Sequence, residues 1–370
     1  MTMLRRIALS MMKGVTPAVV SRMTEIGISV DDFFTLSTAE LSDMMHLRGA
    51  SRLQEHFRDE ALERARTECR FVENHSIRVH SLADDTYPLP LAESERAPIA
   101  LYGIGECPLD APRSLSIVGT RRCTAYGAGF VSKLVEDLAV YFPDLVIISG
   151  LAYGIDREAH EAALRHGLRT IAVVAHGLDK VYPAAHRDLA ARIVRSGGAI
   201  VSEYPSGTPP MPGNFLERNR IVALLPAGVI VAESDIKGGS MSTAATAHSY
   251  SREVMALPGR VGDSRSAGCN HLIRTHRASL VTSAADVMET LGWQPEGLNI
   301  NHTGRNLFPE LEGDTARVYE LLRFERDPVP FDELHARLGL PVHTLTALLG
   351  EMEFDGLVTR HPGNRFSALG

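Results

Sequence analysis

Seven short apolar runs constrain this chain more than any other feature: "LSIVG" (115–119), "LVIIS" (145–149), "TIAVVA" (170–175), "AIVSE" (199–203), "GVIVAE" (228–233), "VMALP" (254–258) and "SLVTS" (279–283). Each is too short for a helix and apolar on successive residues, the pattern of a strand buried on both faces. Helix-like stretches lie between them, at 126–141, 157–166, 186–196, 242–252 and 284–291. Strands and helices alternating in this way form a mostly parallel sheet covered on both sides. The expected fold class is α/β, with a Rossmann-like, doubly wound domain over residues 71–293.

The flanks differ. Residues 1–70 read as all-helical, broken at Gly14, Gly27 and Gly49, with Thr16 capping a helix that has Pro17 at its first position. Short hairpins of this kind can grip a DNA backbone. Ten Lys and Arg against ten Asp and Glu over this stretch favour a packing or protein-contact role instead. Residues 294–314 are rich in Gly, Pro and Asn and read as a linker. Residues 315–370 give three helices and two short strands around Pro362-Gly363-Asn364, a winged-helix arrangement. Residues 308–370 carry six arginines, no lysine and eleven acidic residues, so this module suits protein contact or dimerisation better than a DNA groove.

The whole chain has 370 residues and a formal charge of −7, so any contact with a polyanion must be local. Residues 113–195 carry eleven basic against eight acidic residues, and 214–277 eight against five. Cys69, Cys107, Cys123 and Cys269 form no CxxC pair, which argues against zinc and against a disulfide framework and fits a cytoplasmic protein. No run approaches a membrane span. The opening "MTMLRRIALSMMKG" reads as an amphipathic helix rather than a secretory leader. No cofactor or metal is expected.

Ligands of an open parallel sheet bind at the carboxyl ends of its strands. Five segments are expected there. "GTRRCTAYG" (119–127) sets Gly119, Arg121 and Thr124 where a dinucleotide fingerprint would need small residues, and arginine offers a planar fork for phosphate oxygens. "ISGLAYGIDREAH" (148–160) brings Ser149, Gly150 and Gly154, with Asp156 as a helix cap rather than a catalytic acid and His160 as a packed residue. "AHGLDKVYPAAHRDL" (175–189) joins Lys180, Tyr182, His186 and Arg187; Tyr182 either stacks a base or packs on the sheet edge. "FLERNRIVALL" (215–225) places Asn219 and Arg220 at a helix start, and "ESDIKGGSMSTAATAHSYSR" (233–252) offers Gly239, Ser240, Ser242 and Thr243 as an anion nest.

These motifs in this order, together with "SEYPSGTPP", "ALPG" and the approach segment "DDTYPLPL…APIALYGIG" (84–105), resemble the bacterial DNA-processing protein A family (DprA, also called Smf) over about residues 84–290. The resemblance implies a non-enzymatic protein. It would bind single-stranded DNA during natural transformation, shield it, promote RecA loading and form homodimers. It places the DNA-contacting arginine at Arg121, the nest at Gly119, Ser149, Gly150, Gly239 and Ser240, and an Asn-Arg pair at Asn219 and Arg220. This chain departs from the family at His186, where asparagine is usual, and at Ala184, where lysine is common, so Lys180 is expected to take over a phosphate contact. "LIRTHRASLV" (272–281) is one residue longer than usual, near a dimer surface expected to involve Leu272 and Ile273.

Two other readings stand beside this one. A Rossmann-like nucleotide phosphoribohydrolase would share the sheet, but "KGGSMSTAATA" has no glutamate in the turn after its glycines, and no Ser-His-Asp order, metal-ligand cluster or Walker lysine is present. A scaffold would recruit partners through its flanks, with DNA binding incidental.

Overall fold

A computed structural model describes residues 3–46, 53–106, 109–295, 311, 313–325, 328–354 and 357–368. They fall into two units, Met1–Glu296 and Gly297–Gly370.

The larger unit opens with five helices: α1 (Met3–Met11), α2 (Pro17–Glu25), α3 (Val30–Thr35), α4 (Thr38–Met45) and α5 (Glu55–Asn74). Thr16 caps α2 as expected, accepting from the Val19 amide. Ser29 and Ser37 form reciprocal capping boxes with Asp32 and Glu40. The expected turn at Gly49 lies outside the described residues.

Next come β1 (Arg78–Ser81), α6 (Leu89–Ala92), β2 (Ala100–Gly105), β3 (Ser114–Val118), α7 (Ala125–Tyr141), β4 (Val146–Ser149), α8 (Ile155–Arg165), β5 (Arg169–Val174), α9 (Arg187–Arg195) and β6 (Ala199–Ser202). The unit ends with α10 (Pro212–Leu224), β7 (Gly228–Val231), α11 (Gly239–Ser249), β8 (Glu253–Ala256), α12 (Ala267–Arg274), β9 (Ser279–Leu280) and α13 (Ala284–Leu291). The nine strands form one sheet in the order β1-β2-β6-β5-β4-β3-β7-β8-β9. From β6 to β9 the neighbours run parallel, while β2 pairs antiparallel with both β6 and β1. The seven apolar runs are the seven parallel strands.

Alternate residues feed two cores. On β3 and β4, Leu115, Ile117 and Ile147 pack with Val131, Leu134 and Leu138 of α7 on one face. Val118, Val146 and Ile148 pack with Ile221 of α10 and Ala244 of α11 on the other. Full burial of each such aliphatic side chain contributes about 1.5–3 kcal/mol, which sets the register firmly.

The helical segment is not a separate body. Ile7, Leu9, Met23, Phe33 and Val72 share a core with Ala100 and Tyr102 of β2, and the Tyr102 hydroxyl lies 3.3 Å from Ser10 Oγ. The boundary expected at residue 70 therefore falls inside one unit. α5 continues to Asn74, and the antiparallel edge strands give the helices a surface to cover.

The second unit contains α14 (Gly313–Phe324), β10 (Val329–Pro330), α15 (Phe331–Leu338), α16 (Val342–Phe354), β11 (Val358–His361) and β12 (Arg365–Ala368). Its antiparallel sheet runs β10-β12-β11, one short strand more than expected. Val318, Leu334, Leu345, Leu349 and Phe366 form its core. It is a winged helix.

Candidate nucleic-acid interface

Reversal of the winding defines the site. From β3 the chain winds through β4 and β5 to β6, then returns to the other side of β3 as β7. Loops leaving β3 and β7 therefore part in opposite directions and open a crevice at the strand ends. A cleft of about 620 Å³ lies there, walled by contributions from each of the five expected segments.

Gly119, Thr120 and Arg121 supply the β3 wall, and Ala152 and Asp156 the β4 wall. Gly238, Gly239, Ser240 and Thr243 line it from the start of α11, where helix amides lack internal partners. The Arg121 side chain is exposed, forms no ion pair among the described residues and stands 5.4 Å above the Phe215 ring. Phe215 in turn lies 5.7 Å from Tyr182, which is 43% exposed. An unpaired guanidinium next to two accessible aromatic faces suits a phosphate followed by a base.

The segment at 215–225 is the body of α10, which starts at Pro212, earlier than the helix start expected near Asn219. Pro212, Phe215, Leu216, Asn219 and Val222 recur on the face turned to the cleft. Asn219 donates toward Gly239 O and Ser242 Oγ, both at 3.4 Å, tying α10 to the α11 turn.

Arg220 does not reach the cleft. It is 8% exposed and grips Glu203 through two bonds of 2.6 and 2.5 Å, with further bonds to the Arg96 and Glu217 carbonyls. Arg218, for which the sequence suggests a plain surface bridge to Glu217, instead lines the cleft floor at 4% exposure, and Glu217 pairs with Arg96. Its Nη1 donates to Val173 O at 3.0 Å, while its Nε has no partner. Burial lowers its affinity for a proton, against the pull of Asp156. The Asp156 carboxyl is pushed up by burial and held down by Arg218. Asp156 accepts from the Gly150 and Ala152 amides, so it fixes the loop before α8 instead of capping that helix.

Other expected contacts prove structural. Ser149 is fully buried, with its hydroxyl donating to Ile117 O at 2.7 Å. A Cβ on Gly150 would collide with the Arg218 guanidinium. At Gly154, with φ of +73°, it would collide with Thr120 O, so these glycines let the β4 loop close against the β3 loop. Thr124 caps α7 and donates its hydroxyl and amide to the buried Glu233. Lys180 pairs with Asp179 at 3.2 Å and does not line the cleft. His186 is 4% exposed, its Nδ1 donates to Leu151 O at 2.9 Å, and its ring meets the Tyr153 ring edge-on. His160 is buried, as expected. Leu272 is buried in the sheet core and so offers no free surface, while Ile273 is half-buried against that core.

Among the described residues no His, Cys, Asp and Glu gather into a metal-binding group, and no helix is long and apolar enough to cross a membrane.

The sheet and its switch point place the protein among Rossmann-like proteins without a dinucleotide fingerprint, because arginine stands where a dinucleotide turn needs a small residue. The chain belongs to the DNA recombination-mediator protein A family, whose model matches residues 78–292; a DprA winged-helix model matches residues 307–364. It is 38% identical over 269 residues to a DNA processing protein DprA described as putative in Mycobacterium tuberculosis, covering 72% of this chain and 68% of that one. It is 43% identical over 208 residues to DprA of Streptococcus pneumoniae, covering 56% and 72%, and 37% identical over 283 residues to the Smf protein of Escherichia coli, covering 75% and 74%. The crystal structure of DprA from S. pneumoniae superposes with a TM-score of 0.65 at 35% identity, covering 78% of this chain and 98% of that chain. DNA processing protein A from Helicobacter pylori, described for its single-stranded DNA binding mode, superposes at 0.52 with 32% identity, covering 58% and 95%.

Proposed function

We propose that this protein is a non-enzymatic single-stranded DNA binder in DNA processing and that the switch-point cleft holds the strand. The observation that carries this reading is Arg121, an unpaired guanidinium stacked over Phe215 at the mouth of a cleft lined with amides and hydroxyls. A duplex would hide its bases, whereas an unpaired strand presents base faces to Phe215 and Tyr182 and phosphates to Arg121 and the α11 turn. The single-stranded DNA binding of the H. pylori relative supports the same choice. Protection of the strand during natural transformation, delivery to RecA and homodimerisation complete the reading, and they rest on family membership rather than on the cleft.

Fluorescence anisotropy with single- and double-stranded oligonucleotides over a salt series tests it. A preference for single strands is expected, with affinity falling as salt rises. Arg121→Ala should flatten the log–log salt slope by about 0.7, the loss of one phosphate contact. An unchanged slope would remove Arg121 from the interface, and equal binding of duplex and single strand would overturn the reading.

A further inference from the structure

A second hollow, of about 520 Å³, lies over the start of α8 and shares Arg121 with the cleft. Arg121, Arg122, Tyr153, Gly154, Arg157 and Glu158 line it. Arg122 and Arg157 are exposed and make no ion pair among the described residues, so three arginines face one acidic residue, Glu158. Arg157 stands in the first turn of α8, where the helix dipole disfavours a cation. Like charges gathered without partners at an unfavourable position gain their compensation from an external anion. Tyr153 is 47% exposed. Its ring is braced edge-on by His186 at 4.9 Å, and His186 is itself anchored to Leu151 O. The sequence groups His186 with the cationic and aromatic residues of a strand site; in the structure it supports an aromatic platform.

We propose that this hollow is a second nucleotide subsite. Resting on the reading of the cleft as a single-strand site, it takes the next segment of the strand after it passes Arg121. Arg122 and Arg157 hold a phosphate there, and Tyr153 stacks a base. The two loops are locked together, since Gly154 packs directly on Thr120 and Arg121, so the two subsites keep a fixed spacing.

The test uses the full chain and labelled oligo-dT of increasing length, over a salt series. In the native protein, affinity should step upward once the oligomer outgrows the cleft. Tyr153→Ala should lose about tenfold on long oligomers. The pair Arg122→Ala with Arg157→Ala should lower their salt slope by about 1.4, two phosphate contacts. The corresponding pair Arg122→Lys with Arg157→Lys should restore most of that slope, which a merely misfolded variant would not do. Native affinity and slope on long oligomers in both alanine variants, while Arg121→Ala still weakens binding, would overturn the second subsite and leave the cleft reading standing. Failure of the native protein to hold oligo-dT, or indifference to Arg121→Ala, would overturn both.

Discussion

Two arginines that stand alike in the sequence have opposite surroundings in the structure. Arg121 is exposed and makes no ion pair among the described residues, so its removal should change stability by less than about 0.5 kcal/mol. Arg220 is buried against Glu203, and Arg220→Met strands a carboxylate whose side chain is 14% exposed; a loss of about 3 kcal/mol is expected. Urea denaturation of both variants checks the contrast. Equal stability would show that the Arg220–Glu203 pair contributes nothing to the fold. The motif "ERNR" predicts a cationic contact here but not which arginine makes it. An α-helix turns about 100° per residue. Asn219 and Val222 therefore fix one face on the cleft, Arg218 falls at its margin, and Arg220 falls behind. Helix phase could be read only if 215–225 were recognised as a helix from Pro212 onward. The sequence puts the helix start at Asn219 and Arg220, about two turns after the actual start at Pro212, which leaves the i, i+3, i+4 spacing of Pro212, Phe215 and Leu216 outside the helix. Ser149 and Thr124 misled for a similar reason. A hydroxyl near a strand end is suitable equally for a ligand or for a neighbouring carbonyl, and only packing decides between them.

At the scale of elements, the parallel strands β3 to β8 are legible because burial on both faces leaves apolar runs, while β9, exposed at Ser279 and Leu280, is one edge of the sheet. The antiparallel edge is not legible. β2, "ALYGIG", carries two glycines, and β1, "RVHS", has one buried position, so neither shows the pattern of a doubly covered strand. Their existence depends on the helices that cover them. A tighter joint lies inside the sheet. Thr170 on β5 donates its hydroxyl to Ile147 O on β4 at 2.7 Å, and His160 on α8 donates from Nδ1 to the same oxygen of Thr170 at 2.7 Å. The His160 Nε2 is then a buried acceptor with no partner, and burial lowers the imidazole pKa to about 3, with His186 and Arg218 adding to the shift. Its folded value lies below the unfolded value near 6.5, so the neutral ring is compatible with the fold above pH 6.5. Stability is lost as pH falls from there toward 3. Acidification to pH 5 should cost about 2 kcal/mol through this one group. Urea denaturation at a series of pH values, with His160→Leu alongside, measures it. The variant should lose this part of the acid sensitivity, and an identical pH dependence would sink the assignment.

At the scale of the whole molecule, the unit boundaries decide which pieces can live alone. A chain ending at Glu296 keeps the sheet, both its cores and the helices on β2, and it loses only the winged helix. The third helix of that module, α16, carries Glu351 and Glu353 and no lysine or arginine, so it brings no cation to a groove. Removing it should leave the single-strand affinity within about a factor of two and the melting temperature of the larger unit unchanged. A chain starting at Ile77 is a different case. It uncovers Tyr102 and Ala100, and it removes Glu68, which accepts from the Ser206 amide and hydroxyl at 2.9 and 2.5 Å. Ser206 belongs to the loop that leads to Pro210 and Pro212 in the cleft wall. Loss of the helices therefore strips an apolar face and releases one wall of the site. This shorter chain should aggregate or melt well below the native protein and bind oligo-dT more weakly, whereas the chain ending at Glu296 should not. Calorimetry and anisotropy on the two truncations would settle it: a soluble, fully binding 77–296 fragment would mean that the helices serve a partner and not the sheet.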